Sequence, residues 1–83
     1  MLNLPQITTA EQDSKFFEKV AKNVKRIRKE RKLTQLETAL RIGQSNGGFY
    51  ANMENNANGK HFNLLHLYKL SKLFKCDICE FFK

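Results

Sequence analysis

The sequence predicts an all-α domain of five helices behind a short amino-terminal arm. Three observations carry this. Apolar residues recur at spacings of three and four, with no convincing strand. Residues that cap helices stand before the apolar stripes, at Asp13, Thr34, Asn63 and Asp77. The chain has 83 residues, which allows one domain with a small core made of few, short elements.

The arm is read over residues 1–13 and the domain over 14–83. Met1 to Asp13 show no helical stripe, and Pro5 with Thr8 and Thr9 points to an extended segment. Its apolar residues are Leu2, Leu4 and Ile7. Such an arm is either loosely ordered or grips DNA or a second subunit.

Helix one carries Phe17, Val20, Val24 and Ile27 as its buried stripe, with Phe16 beside them. Asp13 or Ser14 can cap it. Its other faces hold Lys15, Lys19, Lys22, Lys25, Arg26, Arg28, Lys29 and Arg31, opposed only by Glu18 and Glu30. A solvated helix normally mixes signs to gain pairs four residues apart. One-sided charge suits a surface that meets phosphates, and Lys25 is the candidate contact on it. The plainer alternative is an ordinary solvated basic face.

Thr34 followed by Glu37 is a capping box that opens helix two, which runs through Leu36, Ala39 and Leu40 to Ile42. Gly43 supplies the left-handed residue that ends it. Ser45 or Asn46 can cap helix three, in which Tyr50 and Met53, or Phe49 and Met53, face inward. Gly47 and Gly48 in its first turn are poor helix formers, each costing about 1 kcal/mol relative to Ala. Asn55 to Phe62 reads as a loop. Asn63 caps helix four, whose stripe is Leu64, Leu67, Leu70, Leu73 and Phe74 with Tyr68 alongside, and Lys75 closes it. Asp77 with Glu80 forms a second capping box before a short fifth helix that buries Ile78 and Phe81. Phe82 is left for another surface.

Composition narrows the function. Hydrophobic residues make up 41% and charged residues 28%, the profile of a folded soluble domain. No apolar run approaches the ~20 residues of a membrane span. The amino terminus lacks the pattern of a cleaved secretory signal, and two cysteines make no disulfide framework, so a cytoplasmic setting is expected. Fifteen Lys and Arg against eight Asp and Glu give a net charge of +7. That excess draws polyanions, nucleic acid first, then acidic membrane surfaces or acidic proteins.

Two short helices across a tight glycine turn form a helix-turn-helix arrangement. It needs a small residue where the helices touch, here Ala39, and a glycine stop, here Gly43. The second helix then presents its amino-terminal residues to a major groove.

Leu33-Thr34-Gln35, Ala39, Gly43 and Ser45, and then Met53-Glu54-Asn55, resemble the helix-turn-helix of phage-repressor and Cro-like (Xre-type) transcriptional regulators. Lys60 to Leu64, Leu67, Lys69 to Lys72 and Glu80 to Phe82 resemble that family's closing helices. The resemblance runs from about Asn23 to Phe82 and implies sequence-specific binding of duplex DNA. Two departures stand out. Gln44 replaces the usual apolar residue, and the apolar-Glu pair falls one residue late, at Met53-Glu54. We infer one extra residue in the turn, with Asn46 rather than Ser45 as the cap.

The candidate base-reading residues are therefore Gln44, Ser45, Asn46, Gly47, Gly48 and Asn52. Gln and Asn can make bidentate hydrogen bonds to adenine, although these residues can also serve only to cap the helix. The two glycines either let the backbone approach DNA closely or mark a helix ordered only when bound. Phe49 touches a thymine methyl if exposed and is core otherwise. The resemblance implies phosphate contacts from Gln35 and from Asn55, Asn56 and Lys60 in the following loop. A lone domain covers one half-site, so a homodimer on a palindromic operator is expected, with Phe81 and Phe82 as its contact.

The rival motif is Cys76-Asp77-Ile78-Cys79. Redox use would want a thioredoxin-like unit, and zinc would need two further ligands where only His61 and His66 exist. Cys76 reads as a buried thiol, and neither metal nor cofactor is expected. No nucleophile set, paired carboxylates or phosphate-cradling loop suggests an enzyme. The size suggests no separate effector domain. The expected role is transcriptional control in a bacterial or phage setting. The alternatives are an antitoxin that represses its own operon and binds a toxin through the arm, and a fold used only for protein contact.

Overall fold

The computed structural model describes residues 4–83. Four α-helices follow in order: α1 (Ala10–Glu30), α2 (Gln35–Arg41), α3 (Gly47–Glu54) and α4 (Leu64–Phe74). A 3-10 helix, Ile78–Phe82, closes the chain, and there is no strand among the described residues. The expected fifth α-helix is this 3-10 segment, whose five residues are too few to favour α-helical pairing.

α1 starts earlier than its apolar stripe suggests. Thr9 Oγ1 accepts from the Gln12 N–H at 3.1 Å, and Gln12 Oε1 accepts from the Thr9 N–H at 2.9 Å. The Thr8 hydroxyl adds a bond to Asp13 at 2.6 Å. Ala10–Asp13, expected in the arm, are thus the first turn of the helix. Leu2 lies outside the described residues, while Leu4 and Ile7 are exposed. Val20, Ala21, Val24 and Ile27 are buried, Phe17 is half-buried and Phe16 is exposed.

The basic faces of α1 are less one-sided than their composition suggests. Lys15 pairs with Glu11, Lys22 with Glu18 and Arg26 with Glu30, each four residues apart. Arg28 is not on a solvated face at all. It is 7% exposed and tied to Glu54.

In α2 the buried residues are Thr38 and Ala39, followed by Ile42 at its end. Leu36 and Leu40 are exposed. Thr38 can take the inner face because its hydroxyl donates to the Thr34 carbonyl at 2.8 Å. In α3, Tyr50 and Met53 face the core and Phe49 faces out.

Phe62, read as part of a loop, fills the core beside the start of α4 and meets Tyr50 edge-on at 5.7 Å. Leu64 is correspondingly exposed, against expectation. Leu67, Leu70 and Phe74 carry the stripe, and Lys75 ends the helix in the left-handed region at φ 56°. Arg31 Nε donates to the Phe74 carbonyl at 2.7 Å, joining the ends of α1 and α4.

Asp77 caps the closing helix by accepting from the Cys79 N–H at 2.9 Å. Glu80 does not complete the box, because its carboxylate is held by Lys83 at 2.8 Å. Phe81 is wholly enclosed against Phe74, and its carbonyl accepts from the Asn23 amide at 3.0 Å. It is a core residue of its own chain, as its place in the closing helix implies, and offers no surface for the dimer contact also expected of it. Phe82 is 38% exposed and stacks on Phe16, with ring centres 6.2 Å apart.

Candidate nucleic-acid interface

The interface is built on a firmly capped α2. Thr34 Oγ1 accepts from the Glu37 N–H at 3.0 Å, and Glu37 Oε1 accepts from the Thr34 N–H at 3.1 Å. That reciprocal bond holds the Glu37 carboxyl below its ordinary range. Ala39 is fully enclosed where α2 and α3 meet. Gly43 turns the chain at φ +90°, and the Gln44 N–H closes the turn onto the Ala39 carbonyl at 2.9 Å. Such a φ is strained for any residue with a Cβ.

Asn46, not Ser45, caps α3. Its backbone is extended, and its Oδ1 accepts from the Gly48 N–H at 2.9 Å. Ser45, Asn46, Gly48 and Phe49 are exposed, and Gly47 and Asn52 are half-buried. Gln44, Ser45, Asn46 and Phe49 surround a small hollow of about 170 Å³. Gln44 is half-buried, and its Oε1 is enclosed without a hydrogen-bond partner. Of the base-reading candidates, Ser45 and Asn46 are exposed and Asn52 is half-buried, whereas Gln44 encloses its side-chain oxygen.

The loop candidates come together with α1. Lys25, Asn55 and Asn56 share a groove of about 330 Å³ with Lys22, Glu18 and Glu54. Asn56 and Asn58 are both left-handed, at φ 54° and 56°. Asn56 Oδ1 lies 3.0 Å from His61 Nδ1, and the His61 ring stacks flat on Phe17 at 3.8 Å. Lys60 places Nζ over the Phe49 ring, 5.4 Å from its centre, so the loop touches the exposed face of α3. The sequence leaves Phe49 between core and DNA contact and offers His61 only as a possible metal ligand, whereas the fold sets both on this surface. The Phe17–His61 stack joins residues 44 apart, so no local pattern carries it.

Gln35 is half-buried, and its Nε2 donates to Glu54 Oε1 at 3.2 Å. One of its amide hydrogens is therefore turned into the protein, and the other makes no hydrogen bond among the described residues. Arg28 Nε and Nη2 take the two Glu54 oxygens at 2.8 Å each, and Arg28 Nη1 donates to the Leu33 carbonyl at 2.6 Å. Burial would raise the Glu54 carboxyl, but the hydrogen bonds it accepts from Arg28 and Gln35 help to outweigh that and hold the group below its ordinary range. The Glu54 bond raises Arg28 in turn. Burial also pushes the Tyr50 phenol up.

Both cysteines are free, Cys76 half-buried and Cys79 exposed. Burial raises the Cys76 thiol, and the adjacent Asp77 carboxylate raises Cys79. No cluster of three or more His, Cys, Asp or Glu side chains able to hold a metal occurs among the described residues.

The helix-turn-helix profile matches residues 24–81, most of the chain. The chain belongs to the helix-turn-helix family of phage-repressor and Cro-like regulators. No curated protein and no solved structure matches it. The helix-turn-helix family is one of DNA-binding transcriptional regulators, not of enzymes. The matched stretch of this helix-turn-helix protein begins inside α1 and ends in the closing 3-10 helix, so the turn and its capped helices lie within it. No helix among its described residues is long and apolar enough to cross a membrane.

Proposed function

We propose that the protein binds duplex DNA sequence-specifically as a symmetric dimer, inserting the amino-terminal end of α3 into the major groove of each half of a palindromic operator. The carrying observation is the exposed row formed by Ser45, Asn46 and Phe49 at the start of α3. Two amide- or hydroxyl-bearing side chains and one apolar ring are the groups that read base edges and thymine methyls. Charge and hydrogen-bond donors for phosphates flank the row, with Lys60 on Phe49 and Gln35 beside Glu54. Lys25, Asn55 and Asn56 extend that surface along the α1 groove.

For the dimer, the supporting observation is the exposed Phe16–Phe82 stack. Large aromatic side chains left at a surface are common interface anchors. Selection from a randomised duplex pool, followed by footprinting on DNA upstream of the protein's own gene, tests the proposal. The expected result is two inverted half-sites about one helical turn apart. A footprint with no preferred sequence would remove the reading role of α3.

Exposed Leu4 and Ile7 favour a second reading of the arm, as the segment of an antitoxin that binds a toxin protein. Co-purification of a second small protein, lost when residues 1–8 are removed, tests it.

A further inference from the structure

α4 carries an apolar face that the core does not use. Leu64, Leu65 and Tyr68 are 74%, 57% and 53% exposed. With Ile78 of the closing 3-10 helix they line a groove of about 540 Å³. Its lining is all apolar or aromatic. Soluble chains seldom leave such a patch open without a use for it.

A second hollow of about 530 Å³ lies on the other side of Tyr68, lined also by Arg41, Ile42, Gly43, Lys69, Lys72 and Leu73. It holds three cations and no carboxylate. Lys72 Nζ sits over the Tyr68 ring at 5.3 Å, and Lys69 Nζ donates to the Ile42 carbonyl at 3.3 Å. Glu37, one turn before Arg41, is occupied with its cap on Thr34. The six ion pairs of the described residues include none of Arg41, Lys69 and Lys72.

The two halves together select an occupant. A phosphate backbone offers nothing to an apolar groove. A second copy would bring its own Arg41, Lys69 and Lys72 against these, like charge against like. An amphipathic helix with leucine-type side chains on one edge and carboxylates on the other complements both halves. We propose that this face of α4 docks an acidic amphipathic helix of a protein partner, with Tyr68 at the boundary between its apolar and its ionic contacts. None of these side chains is assigned to DNA, so the inference stands or falls independently of the DNA reading.

The test uses the full chain and a synthetic peptide roughly fifteen residues long, enough for a marginally stable helix. Leucines occupy one face of the peptide and glutamates flank them; a control peptide has lysine for every glutamate. Amide chemical shifts are followed as peptide is added. The expected shifts cluster at Leu64, Leu65, Tyr68, Lys72 and Ile78. Leu65→Glu and Lys72→Glu should each weaken binding about tenfold, the loss expected of a central contact. Added salt should weaken it too, and the lysine control should not bind. Circular dichroism checks that both variants fold, and Lys72 is an exposed position where a charge change leaves the core intact. Shifts scattered over the chain, or affinity unchanged by both variants, would overturn the proposal. So would a concentration-dependent dimer in sedimentation that Leu65→Glu abolishes, since that would give the face to a second copy.

Discussion

Arg28 and Glu54 face each other across the α1–α3 contact, joined by two parallel hydrogen bonds of 2.8 Å and almost hidden from solvent. Gln35 of α2 donates to the same carboxylate. Three helices therefore converge on one side chain at the end of the proposed recognition helix. Glu54→Ala would leave a guanidinium buried without its counter-charge, and breaking such a pair costs about 3–5 kcal/mol. Urea denaturation should show that loss, and Arg28→Met combined with Glu54→Leu should recover much of it. The pH dependence has a definite sign. Because the fold holds Glu54 below its ordinary value, the pair's contribution is full above that value and is lost as pH falls through the folded one. Acid unfolding of the wild type should therefore be steeper below about pH 4 than that of the double variant.

His66 gives a second pH dependence at milder acidity. Its Nδ1 accepts from the Asn63 N–H at 3.2 Å, completing the cap of α4. Burial, and then the charge of Lys69, lowers its pKa. The fold thus favours the neutral ring, and stability falls as pH drops below the ordinary histidine value near 6.5. His66→Gln retains an acceptor and cannot titrate. Thermal unfolding at pH 7 and pH 5 should show a smaller drop for His66→Gln than for the wild type; an equal drop would exclude His66 as its source.

The glycines separate by their surroundings. A Cβ on Gly47 would meet Leu36 Cα at 3.4 Å, an ordinary contact, so Gly47→Ala should stabilise by about 0.4–1 kcal/mol. On Gly48 it would lie 3.3 Å from Asn46 Oδ1, the capping atom, and the gain should shrink or vanish. Gly43 sits at φ +90°, so Gly43→Ala should destabilise by about 1–2 kcal/mol. Thermal melts of the three variants check the order.

The helices were legible where side-chain chemistry is local. Thr34 with Glu37, the stop at Gly43, the cap at Asn46 and the left-handed Lys75 all act within a few residues of themselves. Thr9 with Gln12 carries the same signal in the sequence, masked by the absence of an apolar stripe until Phe17. What could not be read depends on distant partners. Arg28 looked like one more surface cation because Glu54 lies 26 residues away. Leu64 reads as core because periodicity marks a face without saying which neighbour has already filled the space. Phe62 looked like loop because a single apolar residue outside a helix has no period. At the interface, the turn and its caps were legible, whereas the enclosed side-chain oxygen of Gln44 and the contact of Lys60 with Phe49 required the fold.

Lys60 tests the phosphate-facing loop. Lys60→Ala should weaken binding to all duplexes alike and reduce the salt dependence of the affinity by about one ion. Phe49→Ala should instead weaken binding most on sites with thymine at one position. Fluorescence anisotropy over a series of salt concentrations distinguishes the two, and identical behaviour of both variants would argue against this division of roles.

The most direct measurement is the base preference of Asn46→Ser, set beside its stability. Serine keeps the cap of α3, so folding should change little. It loses the paired donor and acceptor of the amide, worth about 1–3 kcal/mol of discrimination at one base pair. Selection from a randomised duplex pool should therefore give a site relaxed at one position in each half, with affinity for unrelated DNA unchanged. A site identical to that of the wild type, for both Asn46→Ser and Asn52→Ala, would mean that α3 does not read the operator.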